Sequence, residues 1–270
     1  MFESLTHKTS NRTIALLIGI GLIAGVLGGL LGIGGGAFVV PVLVFLLAFS
    51  RQKAHGVSLA VVLALSIAGV AVYSMHRCVS LLPAIEIALG SVIGAMLGVF
   101  VAQAVRSVAL RRTLSISIVA VGVKMAWDGF TMAHVLHSGG GPASITGGLW
   151  VIGAGVVAGL VSALLGVGTG IVMVPMLTVF LHFPQQEAQG VSLAAMMPIA
   201  FAGMLKHSKL GNVDFRVAEW IAFGAVIGAI AGAAVANALH PGHLKLAFGA
   251  FLVMVAALTA AKKKPREPGV

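Results

Sequence analysis

An uncharged apolar run between Thr13 and Phe49 is the strongest constraint on what this chain can fold into. The run contains 37 residues and no Asp, Glu, Lys or Arg. As one continuous helix it would extend about 55 Å, nearly twice the ~30 Å hydrocarbon thickness of a bilayer. Lipid offers no partner to an unpaired backbone group, so only helical segments are tolerated there. We therefore expect the chain to reverse direction inside this run and to form two helical arms.

Composition extends the argument to the whole chain. Hydrophobic residues make up 59% of the sequence, charged residues 9%, and the mean hydropathy is +1.08. Such values predict an all-α polytopic membrane protein, here with 8–10 membrane helices. The predicted apolar segments are 13–33, 37–49, 55–74, 83–104, 113–127, 146–167, 171–182, 189–205, 217–238 and 244–261.

The chain contains an internal duplication. Residues 25–123 align with 159–257 at a constant offset of 134, and 37 of the 99 pairs are identical, against roughly one in ten expected by chance for this composition. The clearest match joins "GLLGIGGGAFVVPVL" at 29–43 to "ALLGVGTGIVMVPML" at 163–177. We divide the chain into a first membrane repeat (1–127), an external linker (128–145) and a second repeat with a basic tail (146–270).

The two repeats are predicted to have inverted topology. Five apolar segments per copy is an odd number of crossings, so the second copy enters the membrane from the opposite side. The loop charges agree, since "RQKAHGVSLA" at 51–60 carries two cations where "QQEAQGVSLA" at 185–194 has none and gains Glu187. Inverted repeats with interrupted helices characteristically hold a substrate near the membrane midplane.

The net charge of +10 is explained by topology. With the N-terminus in the cytoplasm, 14 of the 17 Lys and Arg residues fall on the inner face, as the positive-inside rule requires. Both termini are therefore expected to be cytoplasmic, and no nucleic-acid partner is needed. The 14 are Lys8, Arg12, Arg51, Lys53, Arg106, Arg111, Arg112, Lys206, Lys209, Arg216, Lys262, Lys263, Lys264 and Arg266.

Glycines supply the predicted chain reversals, because glycine accepts a positive φ without a steric penalty. The returning arms, 37–49 and 171–182, are short enough to be either spanning or re-entrant. Each arm begins at a glycine turn, where free N–H groups and the helix dipole attract anions. The substrate-binding candidates on these turns are Gly34, Gly35, Gly36 and Pro41 in the first copy and Gly168, Thr169, Gly170 and Pro175 in the second.

Two pairs of equivalent polar residues complete the candidate site. Ser58 and Ser192 lie in the repeated "GVSLA" stretch, and His55 and Gln189 precede it. The serines could cap helices or donate hydrogen bonds to a ligand. His55 and Gln189 could contact the substrate or lie at an interface. Because Thr169 stands where the first copy has Gly35, the two half-sites are expected to differ.

These residues resemble the sulfite exporter TauE/SafE family, also called the TSUP family. The resemblance rests on the two glycine lines with their downstream proline and on the A-x-G-x-S-L-A pattern at 54–60 and 188–194. It implies a secondary transporter, with export the expected direction, that moves sulfite, sulfoacetate or related organosulfonates across the bacterial inner membrane by alternating access. An anion channel on the same scaffold, or a non-transporting membrane subunit, remains an alternative.

The remaining polar residues are assigned structural roles. No histidine spacing suggests a metal site, and no nucleophile and base pair suggests an enzyme, so no cofactor is expected. The single cysteine, Cys78, is interpreted as a packing residue, and Lys124 and Asp128 as a helical ion pair. A coupling proton on His55 or Glu86 and assembly into a homodimer remain open expectations.

Overall fold

A computed structural model describes residues 11–104, 108–131, 145–165 and 168–261, and in these residues the chain is helical and contains no strand. The linker residues 132–144, Gly166, the first ten residues and the basic tail 262–270 lie outside the described part. In chain order the helices are α1 Asn11–Leu31, α2 Gly36–Phe45, α3 Arg51–Met75, α4 Leu81–Ala104, α5 Val108–Phe130, α6 Ile145–Leu165, α7 Gly170–Pro175 with a π-helical continuation Met176–Phe180, α8 Gln185–Lys209, α9 Phe215–Ala238 and α10 Pro241–Ala261.

The prediction of an all-α polytopic membrane protein is confirmed. Each predicted apolar segment corresponds to one helix in order, and within the described residues five helices are long and apolar enough to cross a membrane. These are α1, α3, α4, α8 and α9, and shorter apolar helices accompany them. Large apolar side chains such as Leu89, Phe100 and Trp150 are more than half exposed, which is the outer surface expected of a helix bundle covered by lipid.

The first and fourth helices of each repeat pack against helices of the other repeat. The first helix of one copy packs on the fourth helix of the other, so that α1 lies on α9 and α4 lies on α6. In both pairs glycines face backbone atoms directly: a Cβ on Gly25 would overlap the Ala225 backbone, and one on Gly159 would overlap Ser91. Small residues allow this close approach, which drives helix association where the hydrophobic effect between helices is absent.

The third helices of the two copies, α3 and α8, cross at the centre of the molecule. Leu193 of α8 packs against Gly69 of α3, and the equivalent Leu59 of α3 packs against Gly203 of α8; a Cβ on either glycine would approach the leucine to 2.8 and 2.9 Å. Residue numbers rise along one helix as they fall along the other. The two copies of this helix therefore run antiparallel where they touch.

The glycine contacts predict a sharp contrast between two positions on α1. Gly25→Ala should lower thermal stability, because its methyl group would collide with backbone on α9 and overpacking costs about 1–3 kcal/mol. Gly19→Ala should be neutral or slightly stabilising, because nothing lies within 4 Å of its Cβ position and alanine favours helix. Thermal unfolding of both purified variants in detergent measures the difference, and equal melting temperatures would contradict the packing.

Candidate functional site

The first helix break lies between α1 and α2 and is made by glycines. Gly32, Gly34 and Gly35 have φ of 69°, 71° and 66°, in the left-handed region that other residues avoid. Helix α2 then starts at Gly36, where the Gly35 carbonyl accepts hydrogen bonds from the amides of Phe38 and Val39 at 3.0 and 3.1 Å. The predicted chain reversal at these glycines is confirmed.

The second break, between α6 and α7, has a different backbone. Gly168 has φ of 90°, but Thr169 is right-handed at −66°, whereas its counterpart Gly35 is left-handed. A side chain at this position explains the change, because a left-handed conformation is costly for any residue with a Cβ. The two breaks therefore differ in backbone conformation at this position.

The two breaks touch each other. A Cβ on Gly170, the first residue of α7, would lie 2.7 Å from the Cα of Ile33 in the first break. A Cβ on Gly32 would lie 2.7 Å from the Cα of Gln189 on α8, and the space beside Gly34 is filled by Met196. The first break is thus enclosed by α8 and by the start of α7, both from the second copy.

Both candidate serines lie beside the first break. Ser58 is buried, and its Oγ would lie 3.2 Å from a Cβ on Gly36. Ser192 is fully buried, and its hydroxyl donates to the Gly32 carbonyl over 2.9 Å, with the Met173 sulfur 3.9 Å away. Neither serine caps its helix, because each is the eighth residue of α3 or α8. Contact with a ligand stays a prediction for both.

Gln189 is fully buried beside the same break, where it meets Tyr73. The Tyr73 hydroxyl lies 2.9 Å from the Gly29 carbonyl oxygen and 2.9 Å from Oε1 of Gln189. The other amide atom, Nε2 of Gln189, has no hydrogen-bond partner among the described residues. Tyr73 did not emerge from the sequence patterns, although the only tyrosine in an apolar chain was an available signal.

His55 does not join this group. It occupies the position in α3 that Gln189 occupies in α8, but it is exposed while Gln189 is buried. Because α3 and α8 are antiparallel, equivalent positions on them lie at opposite ends of the crossing. The structure therefore places Ser192 and Gln189 beside Gly32 and Ser58 beside Gly36 of the same break, and it places His55 at an exposed position.

The two prolines interrupt their short helices differently. Pro41 is the sixth residue of α2, further along than the first turn, and is partly buried. Pro175 ends the α-helical part of α7 and is followed by the π-helical turn, in which the Thr178 hydroxyl donates to the Val174 carbonyl over 2.9 Å. A proline offers no N–H, so Pro175 cannot donate to the carbonyl four residues before it, and the regular α-helical hydrogen bonding is interrupted there.

Other ionisable groups behave as structural residues. The predicted ion pair between Lys124 and Asp128 is confirmed, with Nζ to Oδ2 at 2.8 Å. Cys78 is partly buried in the α3–α4 connection, and burial, with the nearby Glu187 carboxylate, raises the pKa of its thiol. Within the described residues, no group of three His, Cys, Asp or Glu side chains is placed to hold a metal.

These features define a polytopic membrane protein whose helix breaks and buried polar side chains converge at the centre of the bundle. The chain belongs to the sulfite exporter TauE/SafE family, whose sequence profile matches residues 2–125 and 151–269. This places it among membrane transporters.

Two curated relatives extend over nearly the whole chain. The probable membrane transporter protein YunE of Bacillus subtilis is 24% identical over 261 residues, covering 90% of this chain and 96% of the relative. The probable membrane transporter protein MJ0441 of Methanocaldococcus jannaschii is 25% identical over 254 residues, covering 88% and 92%. No solved structure matches the chain.

The first break predicts a specific suppressor of a glycine substitution. Gly34→Ala should destabilise the protein for two reasons. The positive φ at this position costs a residue with a Cβ roughly 1–2 kcal/mol, and the added methyl group would collide with Met196. Adding Met196→Ala should relieve the collision, so that the double variant is more stable than the sum of the two single losses predicts.

Gly168→Ala is the matched control. Its φ is also positive, but nothing lies within 4 Å of its Cβ position, so only the strain applies. Thermal unfolding of the four variants in detergent tests the scheme, which fails if Gly34→Ala and Met196→Ala are strictly additive.

Proposed function

We propose that this protein is a secondary transporter, working as an exporter, that carries small sulfur-containing oxyanions such as sulfite, sulfoacetate or other organosulfonates by alternating access across the bacterial inner membrane. The observation that carries the proposal is the contact between the two helix breaks, from Gly170 to Ile33, beside the antiparallel crossing of α3 and α8. Interrupted helices that meet between two repeats of opposite orientation are a recurring substrate site in secondary transporters. The family's description names sulfite, and the relatives' names support transport in general.

The chemistry of the first break suits an oxyanion. The amide hydrogens of Gly36 and Ala37 have no intrahelical acceptor at the start of α2, and the helix dipole adds positive potential there. Glycine lets the backbone approach a ligand closely. The Ser58 hydroxyl and the unpaired Nε2 of Gln189 are side-chain donors at the same break. Several directional donors favour an anion with several oxygen atoms over a single-atom halide.

Opposite orientation of the two repeats is part of the proposal. The antiparallel run of α3 and α8 supports it, and so does the swap of charge between Lys53 and its counterpart Glu187. Alternating access then follows from exchanging the conformations of the two repeats around a fixed site. The charge distribution supports cytoplasmic termini.

Counterflow in proteoliposomes tests transport. Vesicles loaded with unlabelled sulfite or sulfoacetate should transiently accumulate labelled substrate above equilibrium, and uptake should saturate. Vesicles loaded with chloride should not accumulate it. Gly34→Val and Gly168→Val should abolish counterflow when the flux is normalised to the amount of folded protein in the vesicles. Linear flux without counterflow would indicate an anion channel, and absence of flux with a panel of oxyanions would refute the proposal.

Paired cysteines test the orientation. Arg77 and Gly211 occupy equivalent exposed positions in the connections after α3 and α8. In a Cys78→Ala background, Arg77→Cys should react with an impermeant maleimide on intact cells, whereas Gly211→Cys should react only after the membrane is opened. Labelling of both from the same side would exclude inverted repeats.

We further propose that transport is coupled to protons and that the protein assembles into a homodimer. His55 is exposed at the start of α3, and Glu86 is partly buried on α4, with Oε1 2.7 Å from a Cβ position on Gly148 of α6. Transport that depends on pH in the wild type and loses this dependence in His55→Gln or Glu86→Gln would identify the proton carrier. Unchanged pH dependence in both would exclude them.

A further inference from the structure

A stripe of buried polar side chains runs along α8. Gln185, Gln189 and Ser192 are spaced by four and three residues, which places them on one face of the helix. All three are fully buried. Both amide atoms of Gln185 and Nε2 of Gln189 have no partner among the described residues. We call these three residues the α8 stripe.

Buried amides without hydrogen-bond partners, such as those of the α8 stripe, lower the free energy of unfolding. A buried amide without a partner loses its hydrogen bonds to water and gains none in return, so an apolar residue of the same shape would be more stable. Buried polar atoms in folded proteins almost always find a partner, and an exception calls for water or a ligand. The α8 stripe is therefore a candidate for a surface that becomes hydrated or occupied in another state.

The stripe joins two features already described. At one end, Ser192 donates to the Gly32 carbonyl of the first break. At the other end, Gln185 lies between Pro184 and Gln186, which line an open cleft of about 360 Å³ together with Arg77 and other residues. The α8 stripe thus begins next to residues that line a cleft at one end of the bundle and ends at the first break.

The equivalent residues of α3 form a second stripe, which we call the α3 stripe. It consists of Arg51, His55 and Ser58, at the positions equivalent to Gln185, Gln189 and Ser192. Arg51 and His55 are exposed, and Ser58 reaches the first break at Gly36. Because α3 and α8 are antiparallel, this stripe approaches the same break from the opposite end of the bundle.

We propose that the two stripes line the two halves of the anion's path, with Arg51 and His55 of the α3 half exposed in this structure and the whole α8 half buried. The inference rests on the proposed transport function and assigns to it Gln185 and Arg51, two residues outside the break. Amide donors along α8 would replace water around an oxyanion, and the cationic start of α3 would raise the local concentration of anions at its entrance.

The difference in charge gives the two entrances different apparent affinities. Attraction by Arg51 lowers the substrate concentration needed for half-saturation on the α3 side, whereas at the α8 cleft the charge of Arg77 is offset by that of Glu187. A passive carrier cannot turn this difference into net accumulation, because its equilibrium is set by the gradients. The asymmetry therefore affects KM on each side and leaves the final distribution unchanged.

The test separates a functional amide from a structural one. Gln185→Met removes the donor and acceptor at nearly constant length, and Gln185→Leu is a second variant in case one does not fold. Both should raise the melting temperature, since unpaired buried atoms are removed, yet both should lower counterflow of labelled sulfoacetate about tenfold or more, as expected for a lost hydrogen bond to a charged group. Transport at the wild-type level in a folded variant would overturn the inference.

Ser91→Ala is the control. Ser91 lies on α4, outside both stripes, and is fully buried like Gln185, but its hydroxyl donates to the Gly155 carbonyl over 3.2 Å. It should keep transport while losing some stability, the opposite of the change at Gln185. Equal loss of transport in the control would also overturn the inference.

Thiol labelling of a cysteine introduced at position 185 tests the inference independently. In a Cys78→Ala background, Gln185→Cys should react with an impermeant thiol reagent from the α8 side only, and saturating sulfoacetate should slow the reaction several-fold. Reaction unaffected by sulfoacetate, while the wild type shows counterflow, overturns the path and leaves the transport function standing. Absence of counterflow by the wild type refutes both.

Discussion

Hydrogen bonds to the carbonyls of the first helix break are the interactions on which the rest of the structure depends. A chain that reverses inside lipid exposes backbone groups that water cannot reach. Ser192 on α8 pairs the Gly32 carbonyl, and the Tyr73 hydroxyl on α3 lies within reach of the Gly29 carbonyl. The break is thus held by the same two helices that cross at the centre, so a shift of α8 against α3 would alter the site directly.

Near-symmetry in sequence coexists with asymmetry in structure. Leu59 and Leu193 fill equivalent spaces beside Gly203 and Gly69, as two related copies require. Other equivalent positions differ, since Gln189 is buried where His55 is exposed. In the transport cycle proposed above, two inverted repeats in identical conformations would be open to both sides or to neither. Unequal burial of equivalent residues is what that proposal expects of a single state.

Much of the fold follows from the sequence because each apolar segment is set by local hydropathy, and the reversal at Gly34 and Gly35 is set by their freedom to adopt a positive φ. The candidate site follows only in part. The importance of Tyr73 and Gln185 depends on which atoms lie opposite them, and that information arises from packing between distant helices. For the same reason the sequence gives no sign that His55 and Gln189 have different surroundings. Aligning the two repeats shows that their positions are equivalent, but it does not show at which end of the α3–α8 crossing each one lies.

The packing of α1 from the first copy against α9 from the second copy also determines when, during synthesis, the fold can be completed. The glycine face of α1 around Gly25 is covered by α9 around Ala225, 200 residues later in the chain. At a synthesis rate of about 5–20 residues per second, that face waits roughly 10–40 s for its partner. During this time the glycine face of α1 lies in the bilayer without its partner helix, and it can pair with the wrong helix. The first repeat is therefore fully stabilised only after the second repeat has been synthesised.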